Sequence, residues 1–177
     1  MTFSETVAFT SMAEGTFEEY QLLDRLYKKL DRELVGNVLG LLNRLKGDAL
    51  GYRIDRYQHS LQTATRALRD GADEETIVVA LLHDIGDTVA PHNHSDLAAA
   101  VLQPYVSADN HWLVKHHGIF QGYYYFHHCG VDRFARERYR GHPMFERTAN
   151  FCERWDQSSF DPAYDTLPID AFMPMLE

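Results

Sequence analysis

From Phe17 to Leu34, apolar side chains return at Leu22, Leu23, Leu26, Leu30 and Leu34. That three-and-four spacing lays one face of a helix against a core. Gly36 reads as an interruption, with Val38, Leu39, Leu42 and Leu45 continuing a second helix to Gly47. Gly47-Asp48 and Gly51 predict a turn. A third helix is expected from Asp55 to Asp70, with Tyr57, Leu61, Ala64 and Leu68 on one face and Gly71 as its C-terminal cap.

The next segment is apolar on every side: Ile77-Val78-Val79-Ala80-Leu81-Leu82. A buried strand would read the same way. The acidic opening Asp73-Glu74-Glu75, favourable to a helix dipole, and the length from Asp73 to Ile85 predict a buried helix instead. It ends at His83-Asp84, with Gly86 just beyond. Thr88 to Asn93 contains Pro91 and predicts a loop. Further helices are expected at His94–Leu102, Ala108–His117, Val131–Tyr139 and Met144–Ser159. Pro162, Pro168 and Pro174 predict a largely irregular tail with one short helix near Ile169–Met175. No strand pattern emerges, so the expected fold is all-α, a single domain over 1–177 with a loose arm over 1–15.

Hydrophobic residues make up 45% of the 177, enough for one continuous core, and the formal charge of -9 disfavours nucleic acid and anionic membrane as partners. No apolar run approaches the roughly 20 residues of a bilayer span. The first residues lack the basic and apolar regions of a signal peptide, so the expected location is cytoplasmic. Cys129 and Cys152 are expected as thiols. Of the ten histidines, most lie between His83 and His142.

The chemistry centres on His83-Asp84 at the end of the all-apolar helix. A carboxylate buried beside an imidazole is costly unless a charge pairs with it, and a bound cation is a natural partner. A His-Asp pair alone is more often an ordinary helix end. Here His59 stands on the preceding helix and Asp156 on a late one. This pattern of a His, a later His-Asp pair and a distant Asp resembles the HD metal-dependent phosphohydrolase superfamily, and Ala80-Leu81-Leu82-His83-Asp84-Ile85-Gly86 matches its core motif. The resemblance covers Tyr57 to Asp156. It implies an HD-domain helical bundle in which Asp84 bridges two metal ions.

A second ion needs more ligands. His94 opens a helix and His117 ends one, with His92 and His116 as their alternatives. Four His and two Asp, with no thiolate, suit iron, manganese and similar metals. His111, His127, His128 and His142 have no comparable setting and read as surface or supporting residues.

The six-residue series also resembles a smaller branch, the mixed-valent di-iron oxygenases of the PhnZ/TmpB type. His59-Ser60-Leu61-Gln62 and Leu81-Leu82-His83-Asp84 carry that likeness, as does the chain's small size. It implies two iron ions, Fe(II)/Fe(III), and cleavage of the carbon–phosphorus bond of a 1-hydroxyphosphonate by dioxygen to a carboxylic acid and phosphate. Tyr52 stands where the amine-recognising members carry a carboxylate. An aromatic face suits a trimethylammonium, which has no N–H to donate. The resemblance therefore points to [1-hydroxy-2-(trimethylamino)ethyl]phosphonate, giving glycine betaine, with Tyr52, Tyr123 and Tyr124 as substrate-binding candidates. Tyr57, Phe120, Tyr125 and Phe126 add to the aromatic supply, most of it expected as core. Two positions depart from the branch. Gln121, itself a substrate-binding candidate, stands where it has a phosphonate-binding lysine, and Asp87 where it has a histidine. Lys115, Arg140, His142 and Arg147 are the candidates left to hold the anion. The alternative activity is phosphohydrolysis of a nucleotide or small phosphoester by a metal-activated water. A regulatory domain without turnover is a third reading.

Overall fold

The computed structural model describes residues 5–176, and all regular structure among them is helical. The chain divides into two compact units at Leu39/Gly40.

In the first unit, α1 (Phe17–Asn43) begins. Thr16 and Glu19 form a reciprocal cap: Thr16 N donates to Glu19 Oε2 at 2.9 Å, and Glu19 N donates to Thr16 Oγ1 at 3.3 Å. The same Glu19 accepts from Ala8 N at 2.7 Å, and Phe9 stacks on Tyr20. Residues 8–20 are thus tied together where a loose arm was expected; residues 1–4 of that arm lie outside the described residues. Gly36 does not interrupt the helix, which runs through it and Gly40. Gly costs only about 1 kcal/mol in a helix interior, too little by itself to end a helix of this length. The leucine face is not the buried stripe its spacing predicted, since Leu26 and Leu30 are exposed.

In the second unit, Asp55 caps α2 (Arg56–Arg69), accepting from Gln58 N at 2.8 Å. Asp73 caps α3 (Glu74–Leu82) through Thr76 N at 2.9 Å, and the helix buries Ile77, Val79, Ala80, Leu81 and Leu82. A helix buried on all faces explains why that stretch shows no amphipathic period. The remaining helices are α4 (His94–Leu102), α5 (Ala108–Tyr125), α6 (Phe145–Phe151) and α7 (Met173–Leu176). Helix α2 packs on α3, and α4 on α5. Helix α5 continues eight residues beyond its expected end at His117, passing through Gly118 and Gly122. The helix expected over Val131–Tyr139 is a short 3-10 turn, Ala135–Tyr139. The one expected over Met144–Ser159 is α6 followed by a π turn, Cys152–Asp156. The short helix expected in the tail is a 3-10 turn, Ile169–Ala171, leading to α7. None of the described helices is long and apolar enough to cross a membrane.

Candidate metal centre

Five helical elements deliver six side chains to one place. His59 comes from the middle of α2, and His83-Asp84 from the end of α3. His94 opens α4, and His117 lies within α5. Asp156 ends the π turn, where a hydrogen bond from Gln157 N to the carbonyl of Cys152 at 3.0 Å widens the backbone. His59, His83, Asp84, His117 and Asp156 are buried.

The tautomers decide what this cluster can do. His59 Nδ1 lies 2.9 Å from the Ser159 carbonyl, His83 Nδ1 2.8 Å from that of Ala80, and His117 Nδ1 2.7 Å from that of Val114. A carbonyl only accepts, so each Nδ1 carries the proton and each neutral ring turns an Nε2 lone pair inward. His59 Nε2 and His83 Nε2 then face each other at 3.3 Å. They also face Asp156 Oδ1 at 3.2 and 3.7 Å and Asp84 Oδ2 at 3.4 and 3.5 Å. Acceptor meets acceptor throughout, which is repulsive unless protons or a cation occupy the centre. Asp156 Oδ2 is buried without a hydrogen-bond partner. The donor set fits a metal ion, and two groups satisfy close ligand spacing: His59, His83 and Asp156, and His83, Asp84 and His117.

Asp84 serves two sides. Its Oδ2 faces His59 and His83, while Oδ1 lies 3.2 Å from His117 Nε2 and 3.5 Å from His94 Nε2. One carboxylate thus offers a separate oxygen to each pair of imidazoles. Burial alone would raise the carboxyl pKa of Asp84, but His83, His117 and His59 hold it well below the carboxylate range. Asp156 is likewise depressed, against its burial, by His59 and His83. Burial opposes the charged forms of His59 and His83, yet Asp156 and Asp84 raise both above the usual histidine range. Burial leaves His94 below it.

Between the alternatives left open by the sequence, the structure separates clearly. His92 is exposed while His94 reaches Asp84. His116 stacks on Trp112 at 4.1 Å, leaving the centre to His117. Two glycines admit His94. A Cβ on Gly86 would lie 2.5 Å from the His94 carbonyl oxygen, and one on Gly118 would lie 2.8 Å from Ser95 Oγ.

Residues 56–156, more than half of the chain, match the HD domain family. The chain belongs to the HD domain family. No curated protein matches it. Membership suggests a metal-dependent enzyme, and the buried His/Asp groups of this HD domain could bind a metal.

Beside the centre of this HD domain lies a cavity of about 210 Å³. Its wall includes Tyr52, Gln121 and Tyr124, together with Tyr125, Gln157 and Phe160. Tyr52 stacks on Phe160 at 4.9 Å, and Phe160 on His59 at 4.4 Å. Gln121 donates from Nε2 to Asp156 Oδ1 at 2.9 Å.

Tyr123, Lys115 and Arg140 do not line the cavity. Tyr123 lies beneath Arg136 and Arg133, at 3.8 and 4.4 Å. Lys115 is exposed. Arg140 pairs with Glu137 at 2.7 Å and Glu146 at 3.0 Å. His142 stacks on Trp112, and Arg147 donates to Thr76 and Asn110.

The sequence reading missed Arg56, the first residue of α2, which lines the cavity. Its position three residues before His59 was a usable signal, because i and i+3 share a helix face.

Proposed function

We propose that this HD domain is a di-iron oxygenase that cleaves the carbon–phosphorus bond of a 1-hydroxyphosphonate, with [1-hydroxy-2-(trimethylamino)ethyl]phosphonate as substrate and glycine betaine and phosphate as products. The observation that carries the reading is the placement of Asp84, one oxygen toward His59 and His83 and the other toward His94 and His117. It supports a centre with two ions sharing one carboxylate. His59, His83, Asp156 and Asp84 would hold one ion, and Asp84, His94 and His117 the other. The all-nitrogen-and-oxygen donor set suits iron. When bound, two irons supply Lewis acidity and the electrons needed to activate dioxygen.

The chain's own residues do the rest. Main-chain carbonyls lock His59, His83 and His117 with Nε2 inward. Buried α3 keeps water from the inner side of the centre, while the cavity leaves the outer side open to a small molecule. Oxygen supplies the overall balance: the hydroxyphosphonate and one dioxygen give one carboxylate, one phosphate and a proton. The aromatic wall of Tyr52, Tyr124, Tyr125 and Phe160 suits a bulky cation without N–H donors. Arg56 already lies 4.7 Å from the Tyr52 ring centre. The trimethylammonium is therefore assigned to the Tyr124 and Tyr125 side, with Tyr52 shaping the cavity.

Phosphohydrolysis is the second reading, favoured by the HD family itself. Iron-loaded protein given the hydroxyphosphonate in air should consume oxygen and release phosphate in equal amounts, and should release no phosphate under strict anaerobiosis. Equal phosphate release with and without oxygen would move the protein to the phosphohydrolases.

A further inference from the structure

We infer that Arg56 binds the tetrahedral oxyanion of the substrate, the role for which the sequence left only remote candidates; the inference rests on the organophosphonate reading above. A phosphonate and a phosphate share this chemistry, so the site would also accept the phosphate released.

Charge comes first. The cavity wall carries the carboxylates of Asp84, Asp87 and Asp156, and Arg56 is the lining residue with a permanent positive charge. Bound cations would offset the carboxylates at the centre, but a dianion also needs donors for its remaining oxygens. Gln121, on α5, is neutral and already donates to Asp156. The cation therefore comes from α2, one helical turn before His59.

Preorganisation comes second. Arg56 Nε lies 2.9 Å from Asp87 Oδ2, and the two side chains are only 25% and 16% exposed. The guanidinium carbon sits 4.7 Å from the Tyr52 ring centre and 5.6 Å from that of Phe160. Two rings flank the guanidinium and one carboxylate pairs with its charge, although Nε itself has no aligned hydrogen-bond acceptor. Its terminal nitrogens make no hydrogen bond to the described residues, so their N–H donors are available as a fork. A planar fork matches two oxygens of a tetrahedral anion, a geometry lysine cannot reproduce. Asp87 steadies Arg56 and also offsets part of its charge, which favours release of a doubly charged product.

The test uses methylphosphonate, which carries the oxyanion but no hydroxyl to react. It is titrated calorimetrically into anaerobic iron-loaded wild type, Arg56→Gln and Arg56→Lys, with the iron content of each measured first. The expected result is unchanged iron, affinity reduced about tenfold or more in Arg56→Gln, and an intermediate loss in Arg56→Lys. Wild-type affinity in fully loaded Arg56→Gln would overturn the inference, as would no binding by wild type. If Arg56→Gln does not load iron, Arg56→Lys decides, and affinity equal to wild type counts against the fork. The two readings fail separately. Arg56-dependent methylphosphonate binding without oxygen-dependent turnover of the hydroxyphosphonate removes the oxygenase and keeps the anion site. Oxygen-dependent turnover with an unchanged KM in Arg56→Gln removes the anion site and keeps the oxygenase.

Discussion

The two sides of Asp84 are built from the same residue types and held in different ways. On the inner side, His59 and His83 are fully buried and each anchors Nδ1 to a main-chain carbonyl. On the outer side, His117 is anchored alike, but His94 is a quarter exposed. Its Nδ1 has no hydrogen-bond partner, and Asp87 Oδ1 stands 3.6 Å away. The inner ligands are fixed by the packing of α2 on α3 and can shift only if the core shifts. The outer side depends on how α4 enters, and that entry depends on the missing side chains of Gly86 and Gly118. A rigid half and an adjustable half would suit the proposed two-ion centre, keeping one ion while leaving room for a ligand at the other.

The largest effect should come from the residue the halves share. Asp84→Ala removes both facing oxygens, so metal analysis of the purified variant should find neither ion. Full iron stoichiometry in that variant would show that Asp84 is no bridge. A smaller, one-sided effect should come from Gly86→Ala. The added methyl meets the backbone of His94 rather than a flexible side chain, so α4 must move. Iron per chain should fall from about two to about one, matching His94→Ala, while the inner ion stays. Loss of both ions in Gly86→Ala would mean that the halves are not separable.

Protons should compete with metal, and the sign follows from the raised pKa values of His59 and His83. A raised histidine pKa stabilises the fold fully below the unfolded value, about 6.5, and that contribution is lost as pH rises through the folded value. The depressed Asp84 and Asp156 pKa values act lower, their contribution lost as pH falls through the acid range. Metal-free protein should therefore lose thermal stability from about pH 6.5 upward, whereas the increase in Tm on adding iron should grow over the same range. Scanning calorimetry of both forms across that range checks it, and a metal-induced shift independent of pH would contradict it.

The smallest effect should be on substrate choice. Tyr124→Ala should reduce the preference for the trimethylated substrate over its primary-amine analogue by about threefold to thirtyfold in kcat/KM, and Tyr52→Ala by less. Neither should change iron content. Equal kcat/KM for the two substrates in wild-type protein would remove the aromatic argument.

The fold was legible where side chains carried the signal. The all-apolar run before His83 could be assigned to a helix because Asp73 and its acidic neighbours marked a start, and Asp73 is the cap. Lengths went astray where glycine was read as a stop. Gly36 and Gly118 both lie within helices, since a propensity cost of about 1 kcal/mol is too small to end a helix by itself, and Gly118 is also packed against Ser95 and His94. The six-residue cluster followed from spacing and resemblance, whereas the choice of His117 over His116 needed the helix phase. Arg56 was hidden because an arginine at a helix start looks like ordinary solvent-facing charge. Only the packing of Tyr52 and Phe160 shows that this one is held inside.

An anomalous difference map at the iron absorption edge, from crystals of iron-loaded protein, tests the central claim most directly. The account predicts two peaks, one among His59, His83, Asp84 and Asp156 and the other among Asp84, His94 and His117. A single peak, or a second one away from Asp84, would contradict it.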